Sequence, residues 1–208
     1  MRNTKFVLAA AALSIALLGA APSGPAAAFL DVWSKVTSYT DNIKIHVVKG
    51  TDVQDRTYHY AYLKPHFARI DITGGAGRGG GASWKGGDMV SGHQGGMLSG
   101  IHLNISMHDG RAVDLRGGTI VQASFEDVAD NIKSAATVTN GEDSWNGTTY
   151  DTVTVPFTDS LGATKRVIYL SKTTHLPVRR VTFAGTAVVV DEQFTDVNPA
   201  ANLKESDF

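Results

Sequence analysis

The chain of 208 residues contains no cysteine. Disulfide bonds, cysteine-ligated metals and thiol nucleophiles are therefore excluded, and so is lipidation of an N-terminal cysteine. The chain also lacks an excess of one charge, because 19 lysines and arginines stand against 20 aspartates and glutamates, for a formal net charge of −1. Its basic residues form no block. Nucleic acid is therefore not an expected partner, since its recognition needs a clustered positive surface.

Only one long apolar run is present, residues 6–19. Its length of about fourteen residues falls short of the roughly twenty that a transmembrane helix needs. Arg2 and Lys5 precede the run, and three alanines ending at Ala28 follow a break of proline and glycine, which is typical of a secretory signal peptide. We therefore predict a signal peptide over residues 1–28, cleavage at its end, and an exported chain that does not span a membrane. The alternative is an uncleaved membrane anchor.

The expected mature chain, residues 29–208, is interpreted as a single domain with two short amphipathic helices. In two segments, apolar residues recur at i, i+3, i+4 and i+7, which is the spacing of one helix face. Ser124 is a good N-cap for the second segment, with Asp127 three residues on. The residues with this spacing are Phe29, Val32, Trp33 and Val36 in the first segment and Phe125, Val128, Ala129 and Ile132 in the second.

Most of the remaining chain alternates between apolar and polar residues with period two, which predicts β-strands. Tyr58, Tyr60 and Tyr62 form a one-sided aromatic row of this kind. Turn dipeptides such as Asn146-Gly147 join successive strands, so neighbouring strands should pair antiparallel. Roughly nine or more strands predict a mainly β (α+β) fold: an unclosed antiparallel β-barrel, or strongly curved sheet, with two short amphipathic lid helices.

A glycine-rich stretch, residues 74–96, contains eleven glycines. The G-x-G-x-x-G motif of dinucleotide-binding loops begins there at Gly75 and ends at Gly80. That motif binds pyrophosphate when a helix begins at its last glycine, and the residues after Gly80 are a poor helix start. We therefore predict hairpins with no helix after Gly80, anchored by Trp84 and Met89, and no cofactor.

No motif of a catalytic site is present. The seven histidines lack the H-E-x-x-H spacing of zinc enzymes. The acidic pairs Glu126-Asp127 and Asp191-Glu192 are interpreted as helix-start charge and solvated strand ends. We therefore predict no enzyme, no catalytic residue and no bound metal. A metal-dependent hydrolase is the alternative, if scattered histidines converge in space, namely His46, His59, His66, His93 and His175.

Both ends of the expected domain resemble one known family. Residues 33–72, "WSKVTSYTDNIKIHVVKGTDVQDRTYHYAYLKPHFARIDI", contain a helix with a K-V-x-S-[FY] exit, two long strands, and a basic residue with proline before a third strand. Residues 176–208, "LPVRRVTFAGTAVVVDEQFTDVNPAANLKESDF", contain L-P before a strand, a turn with glycine and an F-x-D-V step. These segments resemble the periplasmic lipoprotein carriers of the LolA/LolB type, and the middle of the chain fits their pattern of strands and a lid helix.

The resemblance implies an unclosed antiparallel barrel whose hydrophobic cavity holds the acyl chains of a lipid or lipoprotein in the periplasm. It implies a non-enzymatic carrier with envelope proteins as transient partners. The alternative on the same fold is an envelope sensor or regulatory protein that binds a protein partner.

The resemblance also indicates candidate site residues. In the carriers, an arginine before the strand proline helps to latch the lid. The matching residue here is Lys64, before Pro65, and Arg69 is a second latch candidate. Lysine provides a point charge in place of the planar fork of arginine. The expected cavity-lining residues are Trp33, Tyr58, Tyr60, Tyr62, Ile70, Ile72, Leu103, Ile105, Phe125, Val128 and Ile132.

Overall fold

The computed structural model describes residues 22–208, apart from the side chain of Leu98. Most of the expected signal peptide therefore lies outside the described residues. The first helix begins at Gly24 and contains Ala26, which is buried and whose main-chain N–H donates to Asn140 Oδ1 at 3.2 Å. Cleavage at the predicted site after Ala28 would divide this helix. Within residues 22–208, no helix combines the length and apolar character that crossing a membrane requires.

Two α-helices and eleven β-strands make up the described chain. The helices are α1 (Gly24–Lys35) and α2 (Phe125–Ser134). The strands are β1 (Ser38–Lys49), β2 (Asp52–Leu63), β3 (Phe67–Gly75), β4 (Gly81–Trp84), β5 (Met89–His93), β6 (His102–Ser106), β7 (Thr139–Trp145), β8 (Thr148–Pro156), β9 (Lys165–Leu170), β10 (Pro177–Ala184) and β11 (Ala187–Asn198).

All eleven strands belong to one antiparallel sheet in the order β6-β5-β4-β3-β2-β1-β11-β10-β9-β8-β7. Every neighbouring pair is consecutive in the chain except β1 and β11, which join the first and last strands at the centre of the sheet. The edge strands β6 and β7 do not pair with each other, so the sheet is not closed. The expected fold class, an unclosed antiparallel sheet with two helices, is confirmed.

Both helices contribute apolar side chains to one core against the sheet. In α2, Ser124 is the N-cap and its Oγ accepts from the Asp127 main-chain N–H at 3.1 Å, as the sequence predicts. Phe125 follows and stacks on Tyr39 of β1 with 4.5 Å between ring centroids. Trp33 of α1 packs edge-on against both rings. Aromatic and aliphatic side chains thus fill the sheet face beneath the helices, because bulky rings at helical spacing meet the inward row of strand residues.

The glycine-rich stretch forms hairpins, as predicted, and β4 begins directly after Gly80. Gly75 has φ of 75°, and a Cβ there would lie 2.1 Å from the Asp55 carbonyl oxygen, so this bend accepts only glycine. Trp84 is buried, and its Nε1 donates to the Gly87 carbonyl at 2.8 Å. The anchor role predicted for Met89 is wrong, because its side chain is 51% exposed.

Candidate ligand cavity

One row of side chains crosses the inner face of the sheet and positions the site. The strand register places Arg56 of β2 opposite Ile45 of β1, Ile45 opposite Glu192 of β11, and Glu192 opposite Arg180 of β10. Arg56 also continues the inward row of tyrosines on β2, because side chains two residues apart lie on the same face of a strand. Charged groups therefore lie on the face that the sheet shares with its apolar core.

A buried ion cluster joins α2 to β10 and β11. The Arg180 side chain is only 2% exposed and binds Glu192 through two hydrogen bonds, of 2.5 Å from Nε and 2.7 Å from Nη2. Its Nη1 donates to Asp127 of α2 at 2.8 Å. Arg166 of β9 donates to the same Asp127 oxygen at 2.9 Å. The interpretation of Glu192 as a solvated strand end is therefore wrong, and Asp127 does more than supply charge to the start of a helix.

Opposing effects set the pKa values of the two arginines in this cluster. Burial, together with the neighbouring positive charge of Arg180, lowers the pKa of Arg166 to about 10. Burial also lowers the pKa of Arg180, but the charges of Glu192 and Asp127 outweigh it and the net pKa is raised. Both guanidinium groups are therefore charged at neutral pH, and each requires its carboxylate partners in the protein interior.

A second buried carboxylate has no such partner. Asp41 of β1 is 1% exposed, and neither of its carboxylate oxygens has a hydrogen-bond partner among the described residues. Burial raises its pKa well above the ordinary value, and the nearby negative charge of Glu192 adds to the rise. An isolated buried carboxylate of this kind favours the protonated form.

The cavity beside this row is the arginine-lined cavity, with a volume of about 430 Å³. Its apolar wall includes Ile45, Tyr58, Ile70, Ile72 and Ile120, and its charged wall includes Arg56, Arg111, Arg116, Arg166, Arg180, Asp114, Asp159 and Glu192. The lining is therefore mixed, whereas the resemblance implied a hydrophobic one.

A second cavity, the apolar pocket, has a volume of about 240 Å³ and lies under the edge of the sheet formed by β5 and β6. Its wall is mainly aliphatic and includes Val90, Ile101, Leu103, Ile105 and Ala112. It shares five lining residues with the arginine-lined cavity, namely Gly81, Ala82, His93, Arg111 and Ala112. The two spaces therefore adjoin, one mixed in character and the other apolar.

The expected lining residues divide among several places. Tyr58, Ile70 and Ile72 line the arginine-lined cavity, and Leu103 and Ile105 line the apolar pocket. Trp33 and Tyr62 line a further cavity of about 500 Å³ near the end of α1. The other four, Tyr60, Phe125, Val128 and Ile132, are buried in the core and line none of these three cavities. Helix packing fills that part of the sheet face, which strand periodicity alone does not reveal.

The two latch candidates differ in their contacts. Lys64 Nζ donates to the main-chain carbonyl of Trp33 at 2.6 Å and lies 4.1 Å from the centre of the Trp33 ring, so it contacts the end of α1. Arg69 instead binds the Asp71 carboxylate and the carbonyl of Asp207 near the chain end. We therefore propose Lys64 as the residue that holds the C-terminal end of α1.

Replacing Lys64 by methionine should loosen α1. The variant keeps the apolar stem but loses the charge-assisted hydrogen bond and the cation–π contact, for an expected loss of about 1 to 2 kcal/mol in unfolding free energy. Hydrogen exchange measured by mass spectrometry should become faster in α1. Lys35→Met is the control, because Lys35 is an exposed residue of α1 that pairs only with Asp31 in the described structure. Equal exchange rates in the two variants would contradict the latch.

Sequence reasoning missed the charged residues of the cavity wall. Arg56, Arg166, Arg180 and Glu192 occupy inward positions of their strands, in rows that also contain apolar or aromatic residues such as Tyr58, Ile168 and Phe194. A charge on the apolar face of a strand is the signal that could have revealed them. Among residues 22–208, no three histidine or acidic side chains lie close enough together to hold a metal ion.

The chain matches no protein-family model and no curated protein. Several solved structures are similar to it in shape. They include a DUF1329 family protein from Desulfovibrio piger, with 12% identity, coverage of 88% of this chain and 97% of that chain, and a TM-score of 0.46. A LolA superfamily protein from Nitrosomonas europaea has 12% identity, coverage of 89% and 98%, and a TM-score of 0.46. The lipoprotein LppX from Mycobacterium tuberculosis has 13% identity, coverage of 86% and 96%, and a TM-score of 0.45. These low scores leave the function to be argued from this chain's own residues.

Proposed function

We propose that this protein is an exported, non-enzymatic carrier that holds the acyl chain of a lipid or lipoprotein in the apolar pocket and the adjoining arginine-lined cavity. The observation that carries this proposal is the continuity of the two spaces along the inner face of an unclosed sheet. Ligand sites in proteins commonly have volumes of about 300 to 1,000 Å³ and combine an apolar wall with a few polar groups.

The apolar pocket provides the chemistry that an acyl chain requires. Ile101 and Leu103 are 55% and 43% exposed, although most large aliphatic side chains of the domain are buried. Covering such side chains with a methylene chain is favourable, by about 0.8 kcal/mol for each buried CH₂ group. The bound chain would therefore complete an apolar surface that the protein alone leaves partly open to water.

A carrier role outside the cytoplasm requires that the protein be exported. Export in turn depends on the signal peptide proposed for the start of the chain. A carrier in the periplasm would take up its cargo from one membrane or protein and deliver it to another. Envelope proteins are the partners that such transfer requires. Intact-mass measurement of the protein purified from an envelope extract would report both the processed N-terminus and any copurified lipid.

A substitution in the apolar pocket should weaken acyl-chain binding without unfolding the protein. Leu103→Asn is expected to raise the Kd for cis-parinaric acid, a fluorescent fatty acid, about threefold to tenfold, because a polar group replaces part of the apolar wall. Fluorescence titration measures the effect. The control is Val188→Asn on β11, since Val188 has nearly the same exposure, 42% against 43%, and lines none of the cavities described above.

Two results would contradict the carrier. One is that wild-type protein binds no cis-parinaric acid and copurifies with no lipid. The other is that both substitutions change binding equally, which would indicate general surface adsorption. The absence of lipid binding would favour the protein-binding alternative, for which the available surface is the open edge of β6, with the exposed Leu103 and, directly before the strand, the exposed Ile101.

A further inference from the structure

Arg56 differs from the other four arginines of the arginine-lined cavity. Each of those four lies within 3 Å of a carboxylate. Arg56 has no ion-pair partner among the described residues, and its Nε is buried without a hydrogen-bond acceptor. The four pairs are Arg111 with Asp109, Arg116 with Asp159, Arg166 with Asp127, and Arg180 with Glu192.

The strand register explains why Arg56 remains unpaired. Ile45 stands between Arg56 and Glu192, so the Cα atoms of these two residues are separated by two strand spacings, about 10 Å. Glu192 is already occupied by the two hydrogen bonds of Arg180. The remaining acid of the cavity wall, Asp114, uses Oδ1 to accept the main-chain N–H groups of Arg116 and Gly118.

The environment of Arg56 is apolar on its inward side. It lies beside Tyr58, whose pKa is raised by burial while the Arg56 guanidinium offsets part of the rise. Ile45 and Ile72 complete the neighbouring wall. A guanidinium that forms no ion pair among the described residues attracts an anion, because no carboxylate is hydrogen-bonded to it.

We propose that Arg56 binds the anionic head group of the ligand, a carboxylate or phosphate, while the hydrocarbon chain occupies the apolar pocket. The inference rests on the proposed acyl-chain binding and names the class of lipid that the site selects. A planar guanidinium fork matches both kinds of oxyanion. Arg111, which lines both cavities, lies where head group and chain would meet. The cavity should therefore prefer an ionised amphiphile over an uncharged one with the same chain.

The test compares two ligands that differ only in the head group. Oleate and oleyl alcohol each displace the uncharged fluorescent probe N-phenyl-naphthylamine from the wild-type protein and from the Arg56→Gln variant. We expect the variant to bind oleate about tenfold more weakly and to bind oleyl alcohol within about twofold of wild type. Competition with acetate and inorganic phosphate, which lack the chain, shows whether the free anion alone occupies the site.

The control substitution is Lys44→Gln. Lys44 lies on β1, exposed on the opposite face of the sheet, and its loss changes the net charge by the same amount. It should leave the affinity for both ligands unchanged. Arg56→Lys should retain part of the preference for oleate, because it keeps the charge without the fork. Thermal unfolding verifies that all variants are folded.

The outcomes separate the head-group inference from the proposed function. If neither oleate nor oleyl alcohol binds the wild-type protein, the carrier proposal itself fails. If both bind and Arg56→Gln weakens them equally or not at all, acyl-chain binding stands and the role of Arg56 is overturned. A loss of oleate affinity that Lys44→Gln reproduces would likewise overturn it, because net charge and not the cavity would then set the preference.

Discussion

Replacing Glu192 by glutamine is expected to lower the free energy of unfolding by about 3 kcal/mol or more. The change keeps the shape of the side chain but removes the negative charge that faces Arg180 inside the protein. Arg180 is 2% exposed, so water cannot take over the role of the carboxylate. Among residues 22–208, Asp127 would remain as its one carboxylate partner, and Asp127 is shared with Arg166. Urea unfolding followed by tryptophan fluorescence measures the loss.

Two further variants test whether burial is the cause of this effect. Asp191 lies next to Glu192 on β11 and pairs with Arg179, and the side chains of Arg179 and Asp191 are 17% and 18% exposed. Asp191→Asn removes the negative charge from this more exposed pair. The expected loss there is about 1 kcal/mol. The double variant Arg180→Met with Glu192→Leu should recover much of the stability lost by Glu192→Gln, because an apolar pair of similar size needs no ionic partner. A loss from Asp191→Asn as large as that from Glu192→Gln would show that burial does not decide the effect.

Replacing Asp41 by asparagine should stabilise the protein at neutral and alkaline pH and have little effect below about pH 4. In the folded state, burial raises the pKa of Asp41 above the ordinary value of 3.8 that applies to the unfolded chain. The folded chain therefore holds the proton more tightly. The stability contributed by protonated Asp41 is complete below the unfolded pKa and is lost as the pH rises through the folded pKa.

At pH 8 the free energy of unfolding of Asp41→Asn should exceed that of the wild-type protein by about 2 kcal/mol, since asparagine carries no charge that must be buried. Urea unfolding of both proteins from pH 4 to pH 8 measures the difference, which isolates Asp41 from the other titrating groups. The difference should grow with pH. A constant difference across this range, or a variant that is less stable at pH 8, would contradict the assignment of a raised pKa to Asp41. Because the negative charge of Glu192 contributes to the rise, Glu192→Gln should weaken the pH dependence.

The ion cluster and the candidate ligand site share one wall of the sheet. Arg180 and Glu192 both line the arginine-lined cavity, so substitutions that disturb the cluster are expected to change the cavity as well. Binding measurements on those variants therefore report fold and site together. Substitutions of Arg56 and Leu103 test the ligand site without disturbing the ion cluster. Neither residue belongs to an ion pair among the described residues, so its replacement leaves no buried charge unpaired.

The sequence alone determined the class of fold. Period-two alternation predicted antiparallel strands, and helical spacing behind Ser124 predicted α2 at its observed position. It also predicted a hairpin after Gly80, because the residues that follow cannot start a helix. These features depend on local periodicity and turn chemistry, which the order of neighbouring residues contains.

Tertiary structure decided where the sheet face is filled and where it is open. Tyr60 and Ile72 were both expected to line the cavity, but only the packing of the helices shows that Tyr60 is in the core and Ile72 borders a cavity. Tertiary structure also decided which charges are paired. Arg180 of β10 lies opposite Glu192 of the neighbouring strand β11, and it also binds Asp127 of α2. Among the described residues Arg56 has no carboxylate partner, because Ile45 lies between it and Glu192 in the strand register. These pairings depend on strand register and helix placement, which bring together residues far apart in the chain. The local sequence pattern therefore cannot predict them.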